Sequence, residues 1–151
     1  MRVSAKADYA VRAAIELANA GEDAVTAETV ALRQDIPAQF LQKIFHELRR
    51  ARLVVSQRGP EGGHRLARPA GEITVADIIR AVDGPLAAVR GQPPETVKYT
   101  GAAAPLQEVW IALRTNVRSV LEGVTLADLA GSHLPRRIAT LAHKPESWVT
   151  R

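Results

Sequence analysis

Amide and basic side chains are concentrated in one stretch of the chain, and together they have the chemistry to bind nucleic acid. Gln39 and Gln42 are three residues apart, so they share a face if this segment is helical. A glutamine amide can form two hydrogen bonds with the edge of an adenine base, and the adjacent Lys43 can reach guanine or phosphate. The spacing therefore predicts a set of base-contacting side chains. The alternative at this point is an ordinary solvated helix surface.

The positive charge of the chain lies almost entirely between residues 43 and 68. This segment has seven basic and two acidic side chains, and hence a charge of +5, whereas the rest has 13 basic and 14 acidic ones. The basic members are Lys43, Arg49, Arg50, Arg52, Arg58, Arg65 and Arg68, and the acidic ones are Glu47 and Glu61. Such a patch indicates an anionic partner, either nucleic acid or a membrane surface. Nucleic acid is favoured because the chain offers no basic helix with a large apolar face.

Catalytic and metal sites are not predicted. The chain has no cysteine, which excludes disulfides, thiolate catalysis and thiolate-bound metal clusters. The four histidines lack metal-ligand spacing, and the glycine-rich run at 59–63 is not followed by the Gly-Lys-Ser/Thr of a phosphate loop. Asp77 and Asp83 are six residues apart and do not face each other on a helix, so they form a poor acid–base pair. We therefore expect no enzyme activity, no metal and no cofactor.

Helix-capping residues and apolar periodicity predict three helices in the first third of the chain. The first begins after Ser4 and stops at Gly21, the second begins after Thr26 and ends near Asp35, and the third begins at Pro37. The third helix carries an apolar stripe that consists of Phe40, Leu41, Ile44, Phe45 and Leu48. Two helices joined by a short turn, with Gln, Lys and Arg on the outer face of the second, are typical of a helix-turn-helix.

A basic β-hairpin is predicted directly after the third helix. Short β-prone runs flank a Gly/Pro turn at 58–63, so the whole unit is typical of a winged helix. Arg58 at the tip is expected to meet the minor groove of DNA, whose negative potential attracts arginine. Gly62 and Gly63 either let the backbone approach phosphate closely or only provide the positive φ of the turn.

The C-terminal half is predicted to provide a long helix for dimerisation. Thr74 and Asp77 match a capping box that opens a fourth helix, which Gly84 ends, and residues 85–104 are rich in Gly, Pro and Ala and predict a loop. From Pro105 onward a helical stripe of apolar residues follows, namely Leu106, Val109, Trp110, Leu113, Val117, Val120 and Leu121. Few nearby elements can cover this stripe, so a second copy of the chain is its expected partner.

These elements define the predicted fold class, which is mainly α with a small β-hairpin wing. A winged helix-turn-helix domain spans 1–84, a loop 85–104, a dimerisation helix region 105–131 and a basic, partly ordered tail 132–151. No apolar run approaches the ~20 residues that a membrane-spanning helix needs. The first 21 residues also lack the apolar centre of a signal peptide. We therefore expect a cytoplasmic protein with no membrane partner.

Several segments resemble one family of bacterial regulators. They are Met1-Arg2-Val3-Ser4-Ala5-Lys6, Tyr9-Ala10-Val11-Arg12, Phe40-Leu41-Gln42-Lys43-Ile44, the wing at 58–69, and the segments at 73–79 and 124–129. Together they are similar to the Rrf2-type regulators, the family of IscR, NsrR and CymR, over about residues 1–130. The resemblance implies a dimeric winged-helix repressor or activator whose long helix crosses to the partner.

The resemblance also raises the question of whether this chain has the ligands of an iron–sulfur cluster. Many family members carry three cysteines in the loop before the long helix, but residues 90–104 contain none. Asp8 matches a position where some members supply a non-cysteine ligand, and one carboxylate cannot hold a cluster alone. The chain is therefore expected to belong to the cysteine-free branch, controlled by a small-molecule or protein effector. In the wing, His64 stands where Tyr or Phe is usual, and Glu61 where small residues are common.

The combined prediction is a homodimeric transcription regulator, with repression as its default action, that binds double-stranded DNA at a near-palindromic operator. The predicted DNA-binding residues are Ser4, Lys6, Tyr9, Gln39, Gln42, Lys43, Arg49, Arg50, Arg58, Gly62, Gly63, His64 and Arg65. Ser4 and Lys6 are expected to hold phosphates, and Ser4 fits equally well as a simple N-cap. The runner-up is a winged-helix adaptor whose basic patch binds an acidic protein, and a third interpretation is a non-specific nucleic-acid binder. The glutamine pair favours specific recognition, because a non-specific binder would have Lys and Arg there.

Overall fold

The computed structural model describes residues 2–150, and it is mainly helical with one two-stranded antiparallel sheet. The N-terminal elements are Ala5–Ala20 (α1), Ala27–Gln34 (α2), Ala38–Arg50 (α3), Val54–Gln57 (β1), Gly63–Leu66 (β2) and Val75–Asp83 (α4). The C-terminal elements are Leu106–Leu121 (α5), Leu126–Ala130 (α6) and Arg136–Ala142 (α7). Within residues 2–150, no helix combines the length and the apolar character that crossing a membrane requires.

Side-chain caps define the starts of α1, α2 and α4, and these predicted caps are confirmed. The Ser4 hydroxyl accepts a hydrogen bond from the Ala7 amide at 2.9 Å, and Thr26 caps α2 in the same way. Thr74 forms the predicted capping box with Asp77. Each cap satisfies backbone N–H groups that have no partner within the helix, which is why short polar residues begin these helices.

The core is built around α1, which packs on α3, α4 and α6. The inner face of α1 consists of small residues and one leucine, namely Ala7, Ala10, Ala13, Ala14 and Leu17. Alanines let the neighbouring helices approach closely, so the larger side chains of α3 and α4 fill the space around α1. Leu126 of α6 lies in the same core cluster. Residues 126–130, which the sequence groups with the dimerisation helix, therefore pack on the N-terminal unit.

One residue of the predicted α3 stripe lies outside the core. The other members are at most 1% exposed, as predicted, namely Leu41, Ile44, Phe45 and Leu48. Phe40 is 46% exposed, because 3.6 residues per turn place it at the margin of the stripe rather than at its centre. Phe40 therefore belongs to the predicted apolar stripe but not to the core.

The predicted hairpin forms, and it is also bonded to the segment that precedes α2. β1 and β2 pair in an antiparallel register, with Val54 opposite Leu66. Val25 and His64 exchange two backbone N–H···O bonds of 2.8 Å. Gly63 permits this approach, because a Cβ at Gly63 would lie 2.6 Å from the carbonyl carbon and oxygen of Val25. The wing is thus held against the helix-turn-helix by backbone bonds.

The C-terminal half is less compact. Residues 85–104 contain two short 3₁₀ turns, at Pro94–Thr96 and Gly101–Ala103, within an otherwise irregular connection. In the single chain, none of the residues 106–121 of α5 is buried. The tail contains α7 and a further 3₁₀ turn at Pro145–Trp148. The division of the chain at residues 84, 104 and 131 stays a prediction.

Candidate nucleic-acid interface

The outer face of α3 consists of polar and basic side chains. Gln39, Gln42 and Lys43 are exposed, while the opposite face of the helix lies in the core. His46 and Arg50 continue the exposed face toward the C-terminal end of α3. A helix with amide and cationic groups on its exposed first turns can enter a major groove and hydrogen-bond base edges.

Most basic side chains around α3 and the wing have no carboxylate partner in the part of the chain that the structure describes. Among residues 2–150, no acidic oxygen forms an ion pair of 4.0 Å or less with six of them, namely Lys43, Arg49, Arg50, Arg52, Arg58 and Arg68. Arg65 differs, because its Nη1 lies 3.4 Å from Oε2 of Glu22 and its Nε is buried without a hydrogen bond. The uncompensated charges give this side of the molecule a positive surface that a phosphate backbone would neutralise.

His64 attaches the wing to α3. Its imidazole stacks on the ring of Phe45, with ring centroids 4.0 Å apart and an interplanar angle of 5°. Its Nδ1 lies 3.3 Å from the Ser56 hydroxyl on the opposite strand. Burial lowers the pKa of His64 below its usual value, and the positive charge of Arg49 lowers it further. The ring of this predicted DNA contact is thus engaged in packing between the wing and α3.

The tip of the wing presents Arg58 to solvent. A Cβ on Gly62 would lie 2.6 Å from the carbonyl oxygen of Gln57, just as a Cβ on Gly63 would meet the backbone of Val25. These close approaches within the chain explain both predicted glycines without a phosphate. They also shape the turn that carries Arg58.

Ser4 and Lys6 lie in a polar cluster between α1, α3 and α4. The Ser4 hydroxyl donates a hydrogen bond of 2.5 Å to the carboxylate of Asp83. The ammonium group of Lys6 lies 3.4 Å from Glu47 and 3.9 Å from Asp83. Both predicted phosphate contacts therefore have partners within the chain. The geometry supports the N-cap alternative for Ser4, and two carboxylates offset the charge of Lys6.

Tyr9, Phe40 and Arg12 form an aromatic–cation cluster beside the start of α3. The rings of Tyr9 and Phe40 have centroids 5.8 Å apart and are tilted by 60°, and the guanidinium carbon of Arg12 lies 5.5 Å from the Tyr9 ring centroid. Arg12 is held by Asp8 at 3.0 Å and by Gln34. Sequence reasoning identifies Tyr9 alone. The position of Phe40 at the margin of the apolar stripe is the signal that could have placed it here.

The apolar stripe of α5 is incompletely covered within the chain. Val109 is 54% exposed, and the other predicted dimerisation residues are partly buried, namely Leu106, Trp110, Leu113, Val117, Val120 and Leu121. The indole N–H of Trp110 donates to the Tyr99 hydroxyl at 3.0 Å, so its polar atom is satisfied. An apolar groove of about 530 Å³ lies where α1, α4 and the C-terminal half of α5 meet.

Comparison with known proteins identifies the family. The Rrf2 profile, described as an iron-dependent transcriptional regulator, matches residues 3–132. The chain belongs to the Rrf2 family. The HTH-type transcriptional regulator Rv1287 of Mycobacterium tuberculosis is 52% identical to this chain over 143 residues. The matched region covers 94% of this chain and 89% of that protein.

Solved structures of Rrf2-type regulators have the same fold. The structure of CymR, the global cysteine regulator of B. subtilis, matches with a TM-score of 0.74 and 33% identity, over 87% of this chain and 98% of that chain. IscR of T. potens matches with a TM-score of 0.72 and 33% identity, over 87% and 88%. The predicted resemblance and the winged-helix fold are confirmed. Rrf2 proteins are transcription regulators rather than enzymes, so this chain is a DNA-binding transcription regulator.

The description of the Rrf2 profile as iron-dependent raises the question of a cluster, and the donor set of this chain does not fit one. The sequence has no cysteine, and within residues 2–150 no three His, Asp or Glu side chains gather closely enough to hold a metal ion. Asp8, which matches a non-cysteine ligand of some family members, is paired with Arg12 instead. The residues of this Rrf2 protein therefore provide no ligand set for an iron–sulfur cluster.

Proposed function

We propose that this Rrf2 protein is a repressor that binds a near-palindromic operator as a homodimer. The observation that carries the proposal is the exposed Gln/Lys face of α3 beside a wing whose tip arginine forms no ion pair with any carboxylate of residues 2–150. In this arrangement α3 enters the major groove, Gln39, Gln42 and Lys43 contact base edges, and Arg58 meets the adjacent minor groove. Two amides at the start of α3 favour specific recognition, because non-specific binding requires only cations.

The other predicted contacts supply charge or support. Arg49, Arg50 and Arg65 neutralise phosphates near α3 and the wing. The remaining residues position these groups: Gly62, Gly63 and His64 hold the wing, Tyr9 supports the start of α3, and Ser4 and Lys6 join α1 to α3 and α4.

The homodimer forms through α5, because a second copy of the apolar stripe is self-complementary to the first about a two-fold axis. The exposed Val109 and the partly buried Leu113 and Val117 would be covered in this way. Two-fold protein symmetry gives an operator with two half-sites about one or two helical turns apart. An effector other than an iron–sulfur cluster, either a small molecule or a protein, controls binding. The regulator acts in the bacterial cytoplasm, where its operator is.

A DNA-binding titration on the region upstream of the gene, at two salt concentrations and with non-specific competitor, tests this function. We expect saturable, competitor-resistant binding and a footprint with two-fold symmetry. Binding that the competitor abolishes equally for every sequence would leave a non-specific binder. The absence of DNA binding at both salt concentrations would favour the adaptor that binds an acidic protein.

Gln42→Ala tests the assignment of base contacts to α3. We expect the variant to lose about 1–3 kcal/mol of discrimination at one base pair of the half-site, because one bidentate hydrogen-bond pair is removed. Gln92→Ala is the matched control, since it removes the same amide from an exposed position in the loop 85–104. A loss of affinity that is equal for all sequences would contradict the role of Gln42.

A further inference from the structure

Phe40 is an exposed aromatic residue on the first turn of the helix that faces DNA. The residue is 46% exposed, although the other members of the apolar stripe of α3 are almost completely buried. Gln39 precedes it, Lys43 lies three residues further on the same side of the helix, and both are exposed. Exposing a phenyl ring to water is unfavourable, so this position suggests a partner that covers the ring when the protein is bound.

The ring of Phe40 is held in place from the side of α1. Tyr9 packs against it at 5.8 Å between centroids, and Arg12 lies against the Tyr9 ring. Arg12 is itself tied to Asp8 and to Gln34 of α2. The covered part of the Phe40 ring thus contacts Tyr9, whose position is fixed by Arg12, and the exposed part is held in a restricted orientation.

The chemistry of the major groove restricts what such a ring can contact. Base edges there present hydrogen-bond donors and acceptors, and the only apolar group is the C5-methyl of thymine. Phenylalanine has no hydrogen-bonding atom, so the methyl group is the base-edge feature that it complements. We propose that Phe40 contacts a thymine methyl group in each half-site, next to the base that Gln39 contacts. This inference rests on the proposed function, since it requires α3 to lie in the major groove.

Deoxyuridine substitution tests the contact on the DNA side. The operator is first selected from random-sequence DNA by the wild-type protein, and each thymine of a half-site is then replaced in turn by deoxyuridine, which lacks only the methyl group. Burying one such group corresponds to about a fourfold change in affinity. We expect one thymine to show this loss with the wild-type protein and no loss with Phe40→Ala. Gln39→Ala is the control and should keep the loss at that thymine.

The outcomes separate this inference from the proposed function. A selection that yields no preferred sequence overturns both. A clear operator in which no thymine is sensitive, or in which Phe40→Ala keeps the full loss, overturns only the thymine contact. If Phe40→Ala fails to fold, 5-iododeoxyuridine at the sensitive position is irradiated with the wild-type protein, and the crosslinked peptide is sequenced. A crosslink at Phe40 supports the contact, and a crosslink confined to other residues refutes it.

Discussion

Gly63→Ala is expected to detach the wing from the helix-turn-helix. The new Cβ would lie 2.6 Å from the carbonyl carbon and oxygen of Val25 and 2.9 Å from the amide nitrogen of Thr26. These are backbone atoms, so they cannot turn aside as a flexible side chain would. The φ of +146° at Gly63 adds strain for any residue with a side chain.

The magnitude follows from these contacts. Overpacking against a fixed neighbour costs about 1–3 kcal/mol, and an unfavourable backbone conformation costs about 1–3 kcal/mol. If the wing moves away instead, the two Val25–His64 backbone bonds are lost, each with a net contribution of about 1 kcal/mol. The first route costs about 2–6 kcal/mol in total and the second about 2 kcal/mol. Because the protein adopts the less costly arrangement, we expect a loss of about 2 kcal/mol, which lowers Tm by about 4–8 °C in a chain of this size.

Gly59→Ala is the matched control in the same hairpin. Gly59 also has a positive φ, +104°, but a Cβ there would meet no atom within 4 Å. Only the backbone strain applies, so we expect a loss of about 1 kcal/mol. Thermal unfolding followed by circular dichroism, together with operator binding, compares the two variants. Equal losses for Gly63→Ala and Gly59→Ala would refute the argument that the approach to Val25 requires glycine.

Three further predictions concern charge, pH and assembly. Arg58→Ala is expected to lower the magnitude of the slope of log K against log salt by about 2, about 1 for each copy in the proposed dimer, whereas Arg136→Ala in α7 should leave the slope unchanged. An unaltered slope for Arg58→Ala would remove that residue from the DNA contacts. Because the pKa of His64 is lowered, the folded state favours its neutral form. The contribution of neutral His64 to the free energy of unfolding is therefore fully present above 6.5, the pKa of an unfolded histidine, and is lost as the pH falls through the lowered pKa of the folded state. His64→Phe should remove this part of the pH dependence of Tm, and the exposed His46→Phe should not. Val109→Glu is expected to yield monomers in light scattering, while Val149→Glu, at a position that is 62% exposed in the tail, should not; a dimeric Val109→Glu would contradict the α5 seam.

Local signals in the sequence were sufficient for α1 to α5 and the wing, whereas α7 in the tail was not predicted. Ser4, Thr26 and Thr74 each cap a helix through contacts three residues away, and such short-range chemistry is visible in the sequence itself. The period of α3 likewise identified its buried face, apart from Phe40 at the margin, where one residue to either side decides between core and surface.

Contacts between distant segments could not be predicted in the same way. The hydrogen bond from Ser4 to Asp83 spans 79 residues, and neither residue type indicates the other as its partner. The stack of His64 on Phe45 and the bridge to Val25 depend on how the hairpin folds back over α3. Sequence reasoning therefore assigned His64 and Ser4 to the DNA surface, where their types fit, without the tertiary contacts that engage them.

In the proposed complex with DNA, the attachment of His64 to Val25, Phe45 and Ser56 also affects how DNA is selected. The wing loses its conformational freedom when the protein folds, so little of the binding free energy is spent on ordering it at the operator. Immobilising a flexible side chain at an interface costs about 0.5–1.5 kcal/mol. A wing that is already ordered before binding avoids this free-energy cost for several of its side chains. The distance between α3 and the Arg58 tip is equally set in advance. DNA whose major and minor grooves do not match this distance must deform to bind, so groove width becomes part of the recognised sequence.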